Sequence, residues 1–154
     1  MKIIILAFGN FNNSAYKVLF DEFLKRISYK VELKELKLKN SNNLNSELLK
    51  NKECELILNN LESDSVLIAL DEKGRQFDSV EFAKILNNYQ LNSSSKITFV
   101  LGGADGLDQK IISKANLVMS LGKMTLPHLM ARVVLIEQIY RAQTIIKNHP
   151  YHRV

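Results

Sequence analysis

Three short, almost uninterrupted apolar runs constrain the fold of this chain more than any other feature. They cover residues 2–8, Val66–Leu70 and Ile97–Leu101. Runs of this length are typical of strands, and a strand that is apolar at every position is covered on both faces. Weaker apolar patterns at Val31–Leu38 and Leu117–Leu121 predict two further strands. We therefore expect a sheet whose central strands are fully buried.

Segments with helical spacing of apolar residues separate these strands. The predicted helices are Ser14–Ile27, Asn42–Leu61, one from the capping-box sequence Asp78–Glu81 to about Tyr89, a short one after Leu107, and one from about Leu129 to Lys147 after Pro127. A polar loop, Asn92–Ser95, precedes the third apolar run. Alternating strands and helices predict an α/β fold, with a mostly parallel sheet and helices on both faces. Without an internal repeat or a linker, we expect a single domain over residues 1–154.

Apolar side chains surround most of the last predicted helix. They are Leu129, Met130, Val133, Val134, Leu135, Ile136, Ile139, Tyr140, Ile145 and Ile146. A helix that is apolar nearly all round must be buried on more than one side. Because we expect its own sheet to cover only one side, a second copy of the chain is the simplest cover for the other, which predicts a symmetric homodimer. The alternative is a helix buried within one chain.

Positive charge is concentrated in the C-terminal part of the sequence. The 21 basic and 16 acidic residues of the whole chain give a net charge of +5. Residues 110–154 alone hold seven basic residues and one acidic residue, a net charge of +6. Such a local excess favours a polyanionic partner, although charge alone supports a solvated surface face equally well.

Composition excludes several classes of protein. With 46% hydrophobic and 24% charged residues, the chain is typical of globular rather than disordered proteins. Cys54 is the single cysteine, which excludes an internal disulfide and fits a reducing compartment; we expect it to be a small buried apolar residue. No apolar run is long enough to span a membrane or to serve as a signal peptide, so we expect a cytoplasmic protein.

Three loops that follow predicted strands are candidates for a ligand site. They are Leu70–Gly74, Leu101–Gly106 and Gly122–His128. In an open α/β sheet, ligands bind beyond the carboxyl ends of the strands, and glycines let the backbone approach a ligand closely. The glycine spacing is not that of a dinucleotide fingerprint. Together the three loops favour a small-molecule pocket, while each one alone could be a simple turn.

The C-terminal segment Asn148–Arg153 packs two histidines, a tyrosine and an arginine into six residues. A basic segment with an aromatic ring is suited to single-stranded RNA, since it can stack on bases and pair with phosphates. The alternative is a disordered tail. The histidines predict no metal site, because acidic or thiolate ligands are missing nearby.

Four segments together strongly resemble a family. They are Leu101–Leu107, Ser120–His128, Arg132–Ala142 and His149–Arg153. The chain resembles the small bacterial methyltransferases of the SPOUT class that modify N3 of a pseudouridine in 23S ribosomal RNA of the large subunit. The resemblance covers the whole chain in length and element order. It implies a C-terminal trefoil knot, a homodimer, S-adenosyl-L-methionine as cofactor and the assembled ribosome as substrate.

The resemblance also implies roles for particular residues. Leu70, Gly103 and the loop Gly122–Pro127 would hold the cofactor. Apolar contact to its adenine ring would come from Leu70, Leu101, Met124 and Leu126, and close approach of the backbone from the glycines. The residues that we expect to bind the cofactor are thus Leu70, Leu101, Gly102, Gly103, Gly122, Lys123, Met124, Thr125, Leu126 and Pro127.

Methylation of N3 requires that this nitrogen lose its proton, and a base can assist. The candidate bases are His128 and, from a partner subunit, His149 or His152. Arg132, Arg141 and Arg153 would bind phosphates or stabilise the developing anion, and Tyr151 would stack on RNA. An equally good interpretation is that His128 caps the last helix.

Three other functions remain open from the sequence. A non-catalytic RNA-binding or ribosome-associated factor could keep the fold without the cofactor. A SPOUT methyltransferase could act on transfer RNA, although the short chain has no added RNA-binding domain. A different α/β nucleotide-binding enzyme would carry another ligand.

Overall fold

The apolar runs form the centre of an all-parallel sheet in the computed structural model, which describes residues 1–12, 14–39, 44–92 and 96–153. In these residues the strands are β1 (Lys2–Phe8), β2 (Lys30–Leu36), β3 (Val66–Gln76), β4 (Lys96–Leu101) and β5 (Leu117–Ser120). They lie in the order β2-β1-β4-β3-β5, and every pair is parallel. The predicted α/β fold with a parallel sheet is confirmed.

Helices cover both faces of the sheet. They are α1 (Ala15–Arg26), α2 (Ser46–Asn60), α3 (Ser79–Leu91), α4 (Gln109–Lys114) and α5 (His128–Ile146). Alternate β1 residues point to opposite faces, so Ile3 and Ile5 join a cluster with residues of α1, α3 and α5. Ile4 and Leu6 join a second cluster with residues of α2 and α4. This two-sided burial explains why β1 is apolar at nearly every position.

Side chains cap the starts of α2 and α3. At α3, the Asp78 side chain accepts from the Glu81 N–H, and the Glu81 side chain accepts from the Asp78 N–H. This is the predicted capping box. Helix α2 begins at Ser46, where Asn45 caps it, rather than at Asn42. Residues 42 and 43 of that prediction, and residues 93–95 of the predicted polar loop, lie outside the described residues.

Strand β3 is longer than its apolar run predicts. It continues past Leu70 to Gln76, and both Leu70 and Arg75 align with Met119 of β5. The residues between them therefore bulge out of the pairing at the carboxyl end of the sheet. Gly74 makes this close crossing possible, because a Cβ there would lie 2.7 Å from the Cα of Met119.

Helix α5 is buried largely within its own chain. It packs against α1 and α3 as well as the sheet, and Leu135, Ile136 and Ile139 are completely buried. Our premise that only the sheet could cover this helix is therefore wrong, because two flanking helices cover it as well. The near-uniform apolar character of α5 consequently gives no argument for a dimer.

None of the helices in the described part of the chain combines the length and apolar character needed to cross a membrane. Cys54 of α2 is buried, with 2% of its surface exposed, as expected for a small apolar residue.

Candidate active site

The bulge within β3 and the loops that follow β4 and β5 surround one cleft of about 760 Å³ at the carboxyl edge of the sheet, so Leu70–Gly74, which we expected to be a loop, belongs to a strand. Asp71, Glu72 and Lys73 of the β3 bulge form one wall, and Lys50 of α2 reaches the cleft from the side. Seven of the ten residues expected to bind a cofactor line it: Leu70, Leu101, Gly102, Gly122, Met124, Thr125 and Leu126. The volume lies within the range usual for sites that enclose a small organic ligand.

The loop after β4 is folded into a tight turn. The Gly106 N–H donates to the Gly103 carbonyl at 3.1 Å, and these two residues form an isolated bridge. Gly106 has φ +76°, a conformation that favours glycine. A Cβ on Gly102 would lie 2.7 Å from the carbonyl carbon of Gly106. The turn therefore needs glycine for packing, and its backbone faces the cleft through Gly102 and Gly106.

The loop after β5 presents its backbone and apolar side chains to the cleft. Gly122 has φ +146°, and Ser120 holds the start of the loop by donating from Oγ to the Gly122 carbonyl at 2.7 Å. Met124 is 83% exposed, so its thioether side chain is available to a ligand. Lys123 and Pro127 are exposed in the same loop, whereas Gly103 is buried behind the cleft wall.

His128 is the first residue of α5, and it is exposed and lines the cleft. The N-cap of this helix is Pro127, and no side chain among the described residues caps its first turn. The structure therefore does not give His128 the capping role that we considered. Its imidazole can reach a ligand in the cleft.

Arg132 lies one turn further along α5, with only 1% of its surface exposed. Its guanidinium donates to the carbonyls of Phe8 and Gly9 and pairs with Glu35 at 3.3 Å. It also lies over the ring of Phe11, 5.0 Å from the ring centroid. We expected a phosphate contact at the surface, but these interactions place Arg132 inside the protein, where it fixes the segment after β1.

The C-terminal segment is folded back onto α5. It reverses at Asn148, which has φ +53°, and the His149 N–H donates to the Thr144 carbonyl at 2.8 Å. The Tyr151 ring packs edge-on against Tyr140, with 4.7 Å between the ring centroids. Through His149 and Tyr151, the segment is thus built into the fold rather than forming a free tail.

A polar cluster ties this segment to the helix. Arg141 pairs with Glu137 at 2.5 Å and lies over the Tyr151 ring, 4.8 Å from its centroid. The Tyr151 hydroxyl donates to Glu137 at 3.1 Å, and His152 Nδ1 lies 3.4 Å from Arg141. Partial burial and the Glu137 carboxylate raise the pKa of Tyr151, while Glu137 raises that of Arg141. We call Glu137, Arg141, Tyr151 and His152 the tail cluster.

The tail cluster and the cleft lie at different ends of α5. Arg141 follows His128 by thirteen residues, which corresponds to about 20 Å along a helix. The structure thus brings together seven of the ten residues expected to bind a cofactor, with His128 beside them. It places Arg141, Tyr151 and His152, with the exposed His149 and Arg153, in a second group. We did not identify Glu137 as a site residue from the sequence. It is the one acidic residue after position 109, and it lies four positions before Arg141.

A parallel α/β sheet with a glycine-lined cleft at its carboxyl edge is typical of proteins that bind a small organic ligand there. The chain belongs to the SPOUT methyltransferase family, since the family model described as "Predicted SPOUT methyltransferase" matches residues 1–152. The resemblance noted from the four segments is confirmed.

Similar proteins share nearly the full length of the chain. Ribosomal RNA large subunit methyltransferase H of Clostridium botulinum (strain Hall) is 39% identical over 99% of this chain and 100% of its own. The protein of the same name from Rhodospirillum centenum is 38% identical over 99% of both chains. The solved structure of a probable methylase family protein from Haemophilus influenzae has the same fold, with a TM-score of 0.56 and 15% identity over 99% of this chain and 70% of that one.

Proposed function

We propose that this protein transfers a methyl group from S-adenosyl-L-methionine to N3 of a pseudouridine in 23S ribosomal RNA. It acts as a single-domain homodimer on assembled ribosomes in the cytoplasm. The observation that carries the proposal is the glycine-lined cleft at the carboxyl edge of the sheet, with His128 beside it. The names of the full-length relatives support large-subunit ribosomal RNA as the substrate. The trefoil knot remains a prediction from the family.

The chemistry of the cleft fits S-adenosyl-L-methionine. Leu70, Leu101 and Leu126 offer apolar contact to a flat ring, while the backbone of the two glycine loops offers polar contacts to its edge and to a ribose. A Cβ on Gly122 would meet no other atom within 4 Å, so the space beside its backbone is open to a ligand. When bound, this cofactor supplies a methyl group on a sulfonium for in-line displacement, a reaction that needs mainly correct positioning.

His128 is the residue of this chain best placed to take a proton from N3 of the base. Its side chain stands at the edge of the cleft, where the methyl acceptor must enter. A neutral imidazole can accept that proton through one ring nitrogen. The nitrogen of the base then carries the electron pair needed for attack.

Replacement of His128 by alanine is expected to lower the turnover of methyl transfer by about 10²- to 10⁴-fold, because the proton loses its acceptor. Binding of S-adenosyl-L-methionine, measured by titration calorimetry, should be unchanged, since the cleft walls remain. Unchanged turnover would exclude His128 as the base. Failure of the wild-type protein to bind this cofactor would refute the proposed function.

The tail cluster completes the site of a partner subunit in this proposal. Because the tail cluster lies about 20 Å from the cleft along α5, it does not contact His128 of the same chain. A two-fold axis across α5 would place two such helices antiparallel, with the cluster of one beside the cleft of the other. Arg141 and Arg153 would then contact phosphates, with His149 and His152 near the base and Tyr151 against RNA.

Mixing two inactive variants tests this arrangement. We expect His128→Ala and Arg153→Ala homodimers to be strongly impaired, and co-expressed chains to regain about a quarter of wild-type methyl transfer. Half of the random dimers are mixed, and each of these has one site with an intact cleft and an intact partner tail. If both halves of a site came from one chain, mixing would restore no activity.

A further inference from the structure

Helix α2, for which sequence patterns predicted no function, places a carboxylate behind the glycine turn. Glu53 is only 7% exposed, and its neighbours Cys54 and Ile57 belong to the apolar cluster on this face of the sheet. Glutamate is rarely buried to this extent without a specific partner, because removing its charge from water is unfavourable. The partner of Glu53 therefore indicates why the carboxylate is there.

That partner is the backbone of the turn. The Glu53 carboxylate lies directly against the backbone of Gly103, and this backbone favours the charged form of the carboxylate. A Cβ on Gly103 would lie 2.7 Å from Glu53 Oε2, so only glycine lets the carboxylate come this close. On its other side, the Gly103 carbonyl accepts from the Gly106 N–H at 3.1 Å. Gly103 thus lies between the Glu53 carboxylate on one side and the Gly106 N–H on the other.

The turn held in this way forms part of the cleft wall. Gly102, Ala104 and Asp105 line the cleft, whereas Gly103 itself is buried behind them. Lys50, three residues before Glu53 on α2, also lines the cleft. Helix α2 therefore supports the cleft from behind and contributes to it from the side.

We propose that Glu53 is a positioning residue that fixes the Gly102–Gly106 turn in the conformation that binds the cofactor. The proposal rests on the cofactor site assigned above. Helix packing alone would be served by an apolar side chain of similar length, since Cys54 and Ile57 beside it are apolar. Burial raises the pKa of Glu53, and the Gly103 backbone opposes that shift.

Two substitutions separate positioning from packing. Glu53→Gln keeps a polar oxygen beside Gly103, whereas Glu53→Met keeps the length and removes that oxygen. We expect Glu53→Met to raise the Kd for S-adenosyl-L-methionine and its KM by at least about 10-fold, with kcat at saturating cofactor unchanged. Glu53→Gln should remain close to wild type. The thermal midpoint of Glu53→Met should not fall below that of Glu53→Gln.

Glu55 provides the matched control, because it is exposed and lies two positions away on the same helix. Glu55→Met and Glu55→Gln should leave both Kd and KM unchanged. Wild-type cofactor affinity in Glu53→Met, or equal losses in Glu53→Met and Glu53→Gln, would overturn the proposal. If wild type itself does not bind the cofactor, the proposed function fails and this inference falls with it.

Hydrogen exchange tests the contact without any substitution. In the wild-type homodimer, the Gly103 amide should exchange at least about 100-fold more slowly than the amide of Ala104, which lies at the exposed tip of the turn. Equal exchange rates would overturn the inference, even if the Glu53 variants did not fold.

Discussion

Replacing Arg132 by alanine is expected to lower the free energy of unfolding by about 3–5 kcal/mol, an effect typical of losing a large buried side chain and its polar contacts. The guanidinium binds the carbonyls of Phe8 and Gly9 at the end of β1, and it pairs with Glu35 of β2. Burial lowers the pKa of Arg132 and Glu35 opposes this shift. Alanine would leave a cavity and two unpaired carbonyls.

Urea unfolding followed by circular dichroism measures this loss. Arg153→Ala is the control, because Arg153 is exposed and its replacement should change the free energy of unfolding by no more than about 0.5 kcal/mol. A loss below about 1 kcal/mol for Arg132→Ala would contradict the structural role assigned to this arginine. Arg132 would then again be a candidate for contact with a phosphate.

Replacing Gly102 by alanine is expected to weaken binding of S-adenosyl-L-methionine by at least about 100-fold, equivalent to roughly 2.8 kcal/mol. The added Cβ would lie 2.7 Å from the carbonyl carbon of Gly106 and 2.9 Å from the Leu107 nitrogen. Both contacts are with backbone, so no side chain can move aside and the turn itself must shift. The cleft wall would then lose its shape.

Titration calorimetry compares this variant with Ser113→Thr, which adds one methyl group at an exposed position of α4, outside the cleft. The control should bind the cofactor like wild type. Wild-type affinity in Gly102→Ala would show that the turn does not shape the cofactor site.

The sheet was predictable because burial on both faces leaves a direct mark on the sequence. A strand covered on both faces needs an apolar side chain at nearly every position, and residues 2–8 have this pattern. The extension of β3 leaves no such mark, since Asp71, Glu72 and Lys73 interrupt the apolar run. It depends on pairing with β5 and on Gly74, which are tertiary features.

Burial of single polar residues was harder to predict, although the helical spacing contains a signal. Arg132 stands three, four and seven positions before Leu135, Ile136 and Ile139, on the buried side of α5. Glu53 likewise stands four before the buried Ile57. Charge counting treats such residues as surface groups, and only the fold reveals which backbone groups they bind.

Which elements cover α5 was also not predictable from the sequence. Apolar residues around a helix indicate on how many sides it is buried, but they do not identify the covering element. The order of the strands leaves α5 between α1 and α3, and that order arises from contacts distant in sequence. The homodimer therefore stays a prediction from the family resemblance.

Methyl transfer to ribosomes tests the central claim most directly. Purified ribosomes that lack the modification would be incubated with the protein and S-adenosyl-L-methionine labelled in its methyl group, and the labelled nucleoside would then be mapped. We predict label at N3 of a pseudouridine in the large-subunit RNA, with none in the small subunit. Bound cofactor with no label in the large subunit would contradict the proposed substrate, and absence of both label and cofactor binding would contradict the assignment as a methyltransferase.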